Sequence, residues 1–525
     1  MSERRRRLLA DRGADVALSL GLFVPALLLR LWNITLVPPL WYSEIQETLD
    51  AVDIALGRTL PLVLPSQPHL GPVAAYPLAL VLRLTGLQPF TPRIFMAVVG
   101  ALTVVAAYWL ARVWAGRLAG FMAGALLAVN PFHIVINSHF MWTNSATPLL
   151  VTLALLALTV GVERRGRSIG SARASLVLGG VLFGLALQSH PSVIGLAPGL
   201  ALWFLASPGG LARLRERWTW LAAAAAGLAY SNIVIYNLAN GFRSLEVAGA
   251  KTYALPESQV ALSQFPERLQ ALVTELLLLI TGRLSGALAF DVPTLVLGVW
   301  FILALAFSLR RSRGFFFWTT LSTALIIGYS NKVYNVAYAE RYIMFLVPIA
   351  YATMGLAAAG AWRALRARTR RPALSALAAV CALGLFGLLL VQPVLVLDEY
   401  YRQEMASGRS NEQYLAWSDA AASRAQQGYR VLIGRGLDEE QVVRFGSTFA
   451  TSLDYLLRMQ GIATSFAPVA DLERLIAESP ETTNILLLER TEYAHLRVRV
   501  PLCVLDGRPG RVMALYLGPA TPCPR

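Results

Sequence analysis

The acidic stretch Leu40–Asp50, LWYSEIQETLD, contains the clearest candidate for acid–base chemistry in the chain. Glu44, Glu47 and Asp50, with Asp53 just beyond, follow one another three residues apart, so they share one face of a helix. Glu44 lies two residues after the aromatic pair Trp41-Tyr42, just beyond a long apolar segment, where a carboxylate can take a proton from an acceptor hydroxyl. We therefore predict that Glu44 is catalytic. For the other three acids we predict the water-facing side of an amphipathic helix on the membrane surface.

Further polar residues lie in short motifs between apolar segments and could bind a substrate. These candidates are Ser43 beside the acid, His69 in SQPHLGPVAAY (66–76), His139 and Asn144 in NPFHIVINSHFMWTNS (130–145), Ser-His-Pro at 189–191, Arg243, and Lys332, Arg341 and Tyr342 in YSNKVYNVAYAERYIMFLVP (329–348). Polar groups this dense at the end of an apolar segment are costly unless they face a wet cavity or each other. The alternatives are an interfacial histidine, polar contacts between packed helices, and an aromatic belt.

Lys332 and Arg341 are the candidates for holding a phosphate, because cations form charge-assisted hydrogen bonds with its oxygens. The five histidines show no metal-ligand spacing, since His133 and His139 lie six apart rather than four. The sequence therefore predicts no metal site, and it leaves open whether a divalent cation takes part.

The composition indicates that the chain crosses a membrane many times. Of its 525 residues, 56% are hydrophobic and only 15% are charged, whereas soluble proteins average about 25% charged residues. The formal charge of +15 comes from arginine clusters between apolar runs, such as RRRR at 4–7 and RALRARTRR at 363–371. Such clusters mark cytoplasmic loops, and this explanation is preferred to nucleic-acid binding.

The arginine clusters, used as markers of the inner side, predict about 11 transmembrane helices with the N-terminus inside. The spans are expected near 15–37, 94–111, 118–136, 144–162, 174–190, 191–207, 218–238, 293–309, 314–330, 342–361 and 373–396. Two further apolar stretches lie at 72–87 and 268–288. If they crossed the membrane, arginine clusters that follow them would change to the outer side, so we predict interfacial helices there. The loops that carry the candidate residues then face outward.

The last 128 residues, 398–525, lose the long apolar runs and alternate between strand and helix patterns. The segments YRVLIGR, NILLLER and RVMALYLG predict strands, and TSLDYLLRMQG and VADLERLIAESP predict helices. We therefore predict three regions: a cytoplasmic basic N-terminus at 1–14, a transmembrane domain at 15–397 and an extracytoplasmic α/β domain at 398–525. Cys503 and Cys523 lie in this tail, and their number alone does not decide whether they form a disulfide.

The order of these motifs over about residues 15–365 resembles the GT-C glycosyltransferases. Within them it is similar to the protein O-mannosyltransferases and the lipid A aminoarabinose transferases. The matching segments include WYSEIQETLDAVDIALGRTLPLVLP, PHLGPVAAYPLALVLRLTG, TPRIFMAVVGALTVVAAYWLARVWAGR, GALLAVNPFHIVINSHF and AERYIMFLVPIAYATMGLAAAG. The resemblance implies an all-α polytopic bundle of the GT-C type on the cytoplasmic (plasma) membrane.

The resemblance also implies the reaction and its residues. Such enzymes move a sugar from a polyprenyl-phosphate carrier to a lipid, glycan or protein acceptor outside the membrane, with inversion at the anomeric carbon. The family's Asp-Glu pair corresponds to Ser43 and Glu44 in this chain, so a serine occupies the Asp position. The family's cation before a proline falls on Gly71, with His69 two residues earlier, and Asn144 matches a second acidic position of the aminoarabinose branch.

Two other functions compete with a transferase. Transporters and lipid flippases often contain internal repeats and charges near the midplane; this chain shows no convincing repeat, and its charges lie at the ends of spans. The third reading is an inactive GT-C scaffold, or one whose tail binds a partner, because two family acids are replaced.

Overall fold

The computed structural model describes residues 3–163, 169–244, 265–284, 291–308, 339–368, 372–407, 410–434, 449–508, 511–518 and 523. Its helices are α1 Glu3–Leu31, α2 Tyr42–Ala55, α3 Ala75–Thr85, α4 Thr91–Ala115, α5 Arg117–Ala128, α6 Pro131–Ser138, α7 Thr147–Glu163, α8 Ile169–Ser189, α9 Leu196–Ala206, α10 Gly210–Arg213, α11 Arg217–Ala239, α12 Phe265–Thr281, α13 Val292–Ser308, α14 Leu346–Arg368, α15 Pro372–Ala406, α16 Glu412–Gln426, α17 Phe449–Met459, α18 Val469–Ala477 and α19 Arg490–Leu496. Short 3-10 turns cover Thr143–Ala146, Pro191–Gly195 and Ala339–Tyr342.

Within these ranges, six helices are long and apolar enough to cross a bilayer, or seven if α5 and α6 form one bent span. The number of eleven spans is therefore not confirmed; one predicted span, 314–330, lies outside the described residues. The shorter helices Pro191–Ala206 and Val292–Ser308 coincide with two other predicted spans. Helix α3 has 11 residues, about 16 Å, which is too short to span a bilayer.

The predicted span 118–136 is broken, because α5 and α6 meet at an angle of 63°. Arg30, fully buried in α1, compensates for the break by donating to the carbonyls of Ala128 at 3.1 Å and Leu127 at 3.3 Å. Asn130 caps α6 by accepting from His133 N–H at 2.8 Å, and its amide donates to the Leu279 carbonyl. The broken span thus has substitute partners for its free backbone groups.

Glycines let α8 and α11 approach closely. A Cβ on Gly180 would lie 2.0 Å from the Ala222 carbonyl oxygen, and one on Gly184 would lie 2.3 Å from that of Ala226. Two glycines four residues apart against two alanines four apart give the small-residue packing typical of membrane helices. This contact holds α8, whose last residue directly precedes His190, against α11.

The chain divides into two compact units. The first unit comprises Met1–Trp32, Thr59–Pro77 and Arg93–Gln403. The second unit comprises Asn33–Arg58, Leu78–Pro92 and Glu404–Arg525. The acidic stretch therefore groups with the tail rather than with the bundle. The predicted domain limits at 14 and 397 stay a prediction.

The second unit contains a five-stranded sheet in the order β2-β1-β3-β5-β4, formed by β1 Arg430–Gly434, β2 Thr464–Ala467, β3 Asn484–Glu489, β4 Cys503–Arg508 and β5 Arg511–Tyr516. The first three strands are parallel and β5 runs antiparallel to β3 and β4. The three strands expected from sequence are present as β1, β3 and β5, and β2 and β4 are additional. Cys503 and Cys523 form a disulfide.

Candidate functional site

Arg341, in the turn before α14, is the centre of the candidate site in the first unit. Its guanidinium lies over the Trp142 ring, 4.1 Å from the centroid, and its Nη2 donates to Tyr342 Oη at 3.0 Å. Its Nε and Nη1 are shielded from solvent and have no hydrogen-bond partner among the described residues. Buried N–H groups of a cation are costly when unpaired, and two such groups on a guanidinium can bind an anion through charge-assisted hydrogen bonds.

Stacked aromatic rings hold this arginine in place. Trp142 lies face to face with Phe140, with ring centroids 4.1 Å apart, and both side chains are buried. The guanidinium of Arg93, in the first turn of α4, lies 5.7 Å from the centroid of Phe140. Two arginines thus bracket two aromatic rings, an arrangement that orients a planar guanidinium without neutralising its charge.

Tyr342 and His190 form the second wall of the site. Their rings stack with centroids 4.6 Å apart. Ser192 fixes both, because its hydroxyl donates to the Tyr342 carbonyl at 2.8 Å and its backbone N–H donates to His190 Nδ1 at 3.2 Å. Burial and, next to it, the electrostatic effect of His69 and Arg341 lower the pKa of His190, which follows the last residue of α8, well below its usual value. His190 is therefore neutral at pH 7, and Arg341 carries the charge.

His69 reaches this wall on the loop between α2 and α3, which is fastened to the bundle. Gly71 N–H donates to the Gln188 carbonyl at 2.8 Å, and Ser244 Oγ donates to the Pro68 carbonyl at 2.7 Å. A Cβ on Gly71 would lie 2.2 Å from Gln188 Oε1. This contact explains why no cation stands at position 71, where the family resemblance placed one.

Glu44 lies in the first turn of α2, in the second unit, and is 2% exposed. Its Oε2 accepts from Trp41 N–H at 3.2 Å, which orients the carboxylate at the start of the helix. Ser43 beside it has a buried hydroxyl without a hydrogen-bond partner in the described part of the chain. The expectation of a water-facing Glu47 is wrong: Glu47 is 2% exposed, because α2 packs against α17 of the same unit. Asp53 is paired with Arg58 and is half-exposed.

Comparisons with known proteins agree with this architecture. A family model described as dolichyl-phosphate-mannose-protein mannosyltransferase matches residues 66–236. The structure of ArnT from Cupriavidus metallidurans bound to undecaprenyl phosphate is similar at a TM-score of 0.53 and 14% identity, over 97% of this chain and 98% of that one. The apo form of the same protein has a TM-score of 0.55 at the same identity and coverage. No curated protein sequence matches the chain.

A second similar protein is the oligosaccharyltransferase of Archaeoglobus fulgidus. Its apo structure has a TM-score of 0.51 and 12% identity, covering 90% of this chain and 69% of that one. The chain has the GT-C glycosyltransferase fold. The fold expected from the sequence resemblance is thereby confirmed, and the protein is a multi-pass membrane protein with this fold.

The GT-C bundle brings some of the predicted residues together and leaves others apart. Arg341, Tyr342 and His69 surround His190. Asn144 is buried in the turn that packs against Ala339–Tyr342, and Asn137 Nδ2 fixes this turn by donating to the Ser145 carbonyl at 2.8 Å. His139 instead stacks on Tyr401, with centroids 5.8 Å apart. Arg243 is exposed beyond α11, and Lys332 lies outside the described residues.

Sequence reasoning missed two groups of this GT-C site. In the sequence, Arg93 is the arginine at the start of a predicted span, and Trp142 is one residue of a polar motif. Neither pattern indicated that these residues belong to the site. Their role comes from the stack with Phe140, which joins residues about fifty positions apart and leaves no local pattern. Within the described residues, no group of three or more His, Cys, Asp or Glu side chains could hold a metal ion.

Proposed function

We propose that this protein transfers a sugar from a polyprenyl-phosphate carrier to an acceptor hydroxyl of a lipid, glycan or protein on the outer face of the cytoplasmic membrane. The observation that carries the proposal is Arg341, whose Nε and Nη1 are buried beside the Trp142 stack and have no hydrogen-bond partner within the described ranges. The ArnT structure contains undecaprenyl phosphate, and an AglB structure from Archaeoglobus fulgidus at a TM-score of 0.50 contains a dolichol-phosphate. These ligands belong to the chemical class that Arg341 would accept.

Arg341 suits the leaving group of this reaction. The acceptor oxygen forms a bond to the anomeric carbon while the bond from that carbon to the phosphate oxygen breaks. The phosphate then changes from a diester with one negative charge to a monoester whose second charge develops in the transition state. A fixed guanidinium in a water-poor site stabilises that charge more than it stabilises the bound donor, and this difference accelerates the reaction.

Glu44 is the proposed general base, which takes the proton from the acceptor hydroxyl as the new bond forms. The carboxylate is held by Trp41 N–H through one oxygen, Oε2. Ser43, at the family's Asp position, cannot take this role at neutral pH. A more acidic acceptor, such as a phosphate, would need less assistance from Glu44.

The Cys503–Cys523 disulfide supports an outer location of the tail, because disulfides persist in oxidising compartments and are rare in the cytosol. The donor is supplied within the bilayer, and the acceptor is reached from outside.

The test is transfer of radiolabel from a polyprenyl-phosphate sugar by the purified protein, with a membrane extract as the acceptor source. We expect transfer by the wild type and a loss of about 10²-fold or more in Arg341→Gln. Arg217→Gln is the matched control, because Arg217 also lies over a tryptophan, Trp218, but is exposed. Uptake of label into vesicles without covalent transfer would indicate a transporter. Absence of both activities in the wild type would indicate an inactive scaffold.

A further inference from the structure

Asn411, at the start of α16 in the tail, makes an unusual set of contacts for its position. It is the N-cap residue of α16, where an asparagine side chain normally accepts from the first turn of its own helix. Here the side chain makes no such capping bond. It is fully buried, and it contacts a different part of the second unit.

The side chain of Asn411 holds the segment that leads into α2. Its Nδ2 donates to the carbonyls of Thr35 at 3.0 Å and Pro38 at 3.3 Å. Its Oδ1 accepts from Leu40 N–H at 2.8 Å, and its own N–H donates to the Leu36 carbonyl at 2.8 Å. One residue of the tail therefore satisfies four backbone groups within six residues of chain.

This segment ends directly before the acid. Leu40 precedes Trp41, whose N–H binds Glu44 Oε2, so the chain from the Asn411 contact to the carboxylate is short. The side chains of Val37 and Leu40 are buried, so the packing around them also restricts the conformation of this segment. The packing of α2 on α17 is the second attachment of the acidic helix to the tail.

We infer that Asn411 is a positioning residue for Glu44, so that the tail sets the geometry of the general base. The inference rests on the proposed function, because it assumes that Glu44 acts in sugar transfer. A catalytic group displaced by about 1 Å can lose on the order of 10²-fold in rate. Loss of Asn411 should therefore lower kcat and leave the binding of the donor unchanged.

The experiment compares Asn411→Ala and Asn411→Asp with Asn484→Ala. Asn484 is a matched control: it is also a fully buried asparagine of the tail, but it binds Arg430 and Thr482 within the tail. We measure kcat and KM for a polyprenyl-phosphate sugar, and amide hydrogen exchange over residues 33–41. Asn411→Ala should raise exchange there and lower kcat about 10²-fold at unchanged KM. Asn411→Asp, which keeps the acceptor for Leu40 N–H, should lie between Asn411→Ala and the wild type.

The inference is overturned if exchange over 33–41 is unchanged in Asn411→Ala, if Asn484→Ala raises it equally, or if kcat is retained despite raised exchange. A wild type that transfers no sugar would contradict the proposed function instead. In that case the exchange measurement still decides whether Asn411 holds the segment.

Discussion

At the scale of single residues, Glu44 combines a structural contact with a proposed chemical role, and one substitution separates the two. Glutamine keeps an oxygen that can accept from Trp41 N–H, as in capping boxes with either residue, but it cannot take a proton. We therefore expect Glu44→Gln to fold normally and to lose transfer to a hydroxyl acceptor by about 10²- to 10⁴-fold. The measurement is the rate of label transfer at saturating donor.

Glu47→Gln is the control for this prediction, because Glu47 lies on the same helix and is equally buried, at 2% exposure. Equal transfer in Glu44→Gln and the wild type would exclude Glu44 as the base.

Gly71 gives a second prediction at this scale, because its surroundings leave no space for a side chain. A Cβ there would lie 2.2 Å from Gln188 Oε1 and 2.8 Å from Gln188 Cβ. Gly71→Ala should displace the His69 loop and lower stability by about 1–3 kcal/mol, measured as the melting temperature in detergent. Gly227→Ala, with open space around its Cβ, should show no loss. An unchanged melting temperature for Gly71→Ala would show that Gln188 moves aside freely.

Residue types and spacing pointed to Arg341, Tyr342 and His69, because cations and polar groups at the ends of apolar spans are costly without a partner. The structure places these three residues around His190, and their role in binding a substrate stays a prediction. Residue types and spacing did not predict that Glu47 is buried. Helical spacing shows which acids share a face, but it does not show what that face packs against. That information depends on α17, about four hundred residues further along the chain.

At the scale of elements, the break between α5 and α6 was missed, because both helices are apolar and the sequence between them lacks a charge. The local signal for it is Asn130-Pro131, a pair of residues that favours a helix break. The stability of the break depends on a residue in another helix. Arg30 makes bonds to Leu127 and Ala128 carbonyls, and its Nη2 lies 2.7 Å from His133 Nδ1. A cation in an apolar span looks unfavourable in isolation, and here it serves as a hydrogen-bond donor for a neighbouring helix end.

Arg30→Met tests this role. Hydrogen bonds from charged groups each contribute roughly 1.5–3 kcal/mol, whereas burying the cation costs several kcal/mol. Because four acceptors, including the Ala26 carbonyl in the same helix, would lose this donor, we expect net destabilisation on the order of 2 kcal/mol, seen as a lower melting temperature in detergent. Arg83→Met, at an exposed arginine of α3, should have no such effect. A higher melting temperature in Arg30→Met would show that the cost of burial dominates.

At the scale of the whole molecule, hydropathy and arginine clusters predicted a helical membrane bundle with an α/β tail, and the described helices and sheet have that character. The grouping of Asn33–Arg58 and Leu78–Pro92 with the tail could not be predicted, since it depends on contacts between distant segments. Asn411 binds the first of these segments, and the Tyr455 hydroxyl donates to the Pro89 carbonyl of the second at 2.6 Å. Local patterns identify elements, whereas pairings between distant segments arise only in the folded chain.

The sidedness of the molecule is the remaining prediction at this scale, and the disulfide and the arginine clusters give the same answer. The loop after α2 and the tail should face outward, and the arginine cluster 213–217 should face the cytoplasm. We expect a membrane-impermeant maleimide to label Leu60→Cys in intact cells, because Leu60 is 81% exposed. Arg215→Cys, also exposed, should react only after permeabilisation. Both variants carry Cys381→Ser, which removes the free cysteine, while Cys503 and Cys523 are protected in their disulfide. Labelling of position 215 but not 60 in intact cells would reverse the orientation and place the proposed reaction on the cytoplasmic face.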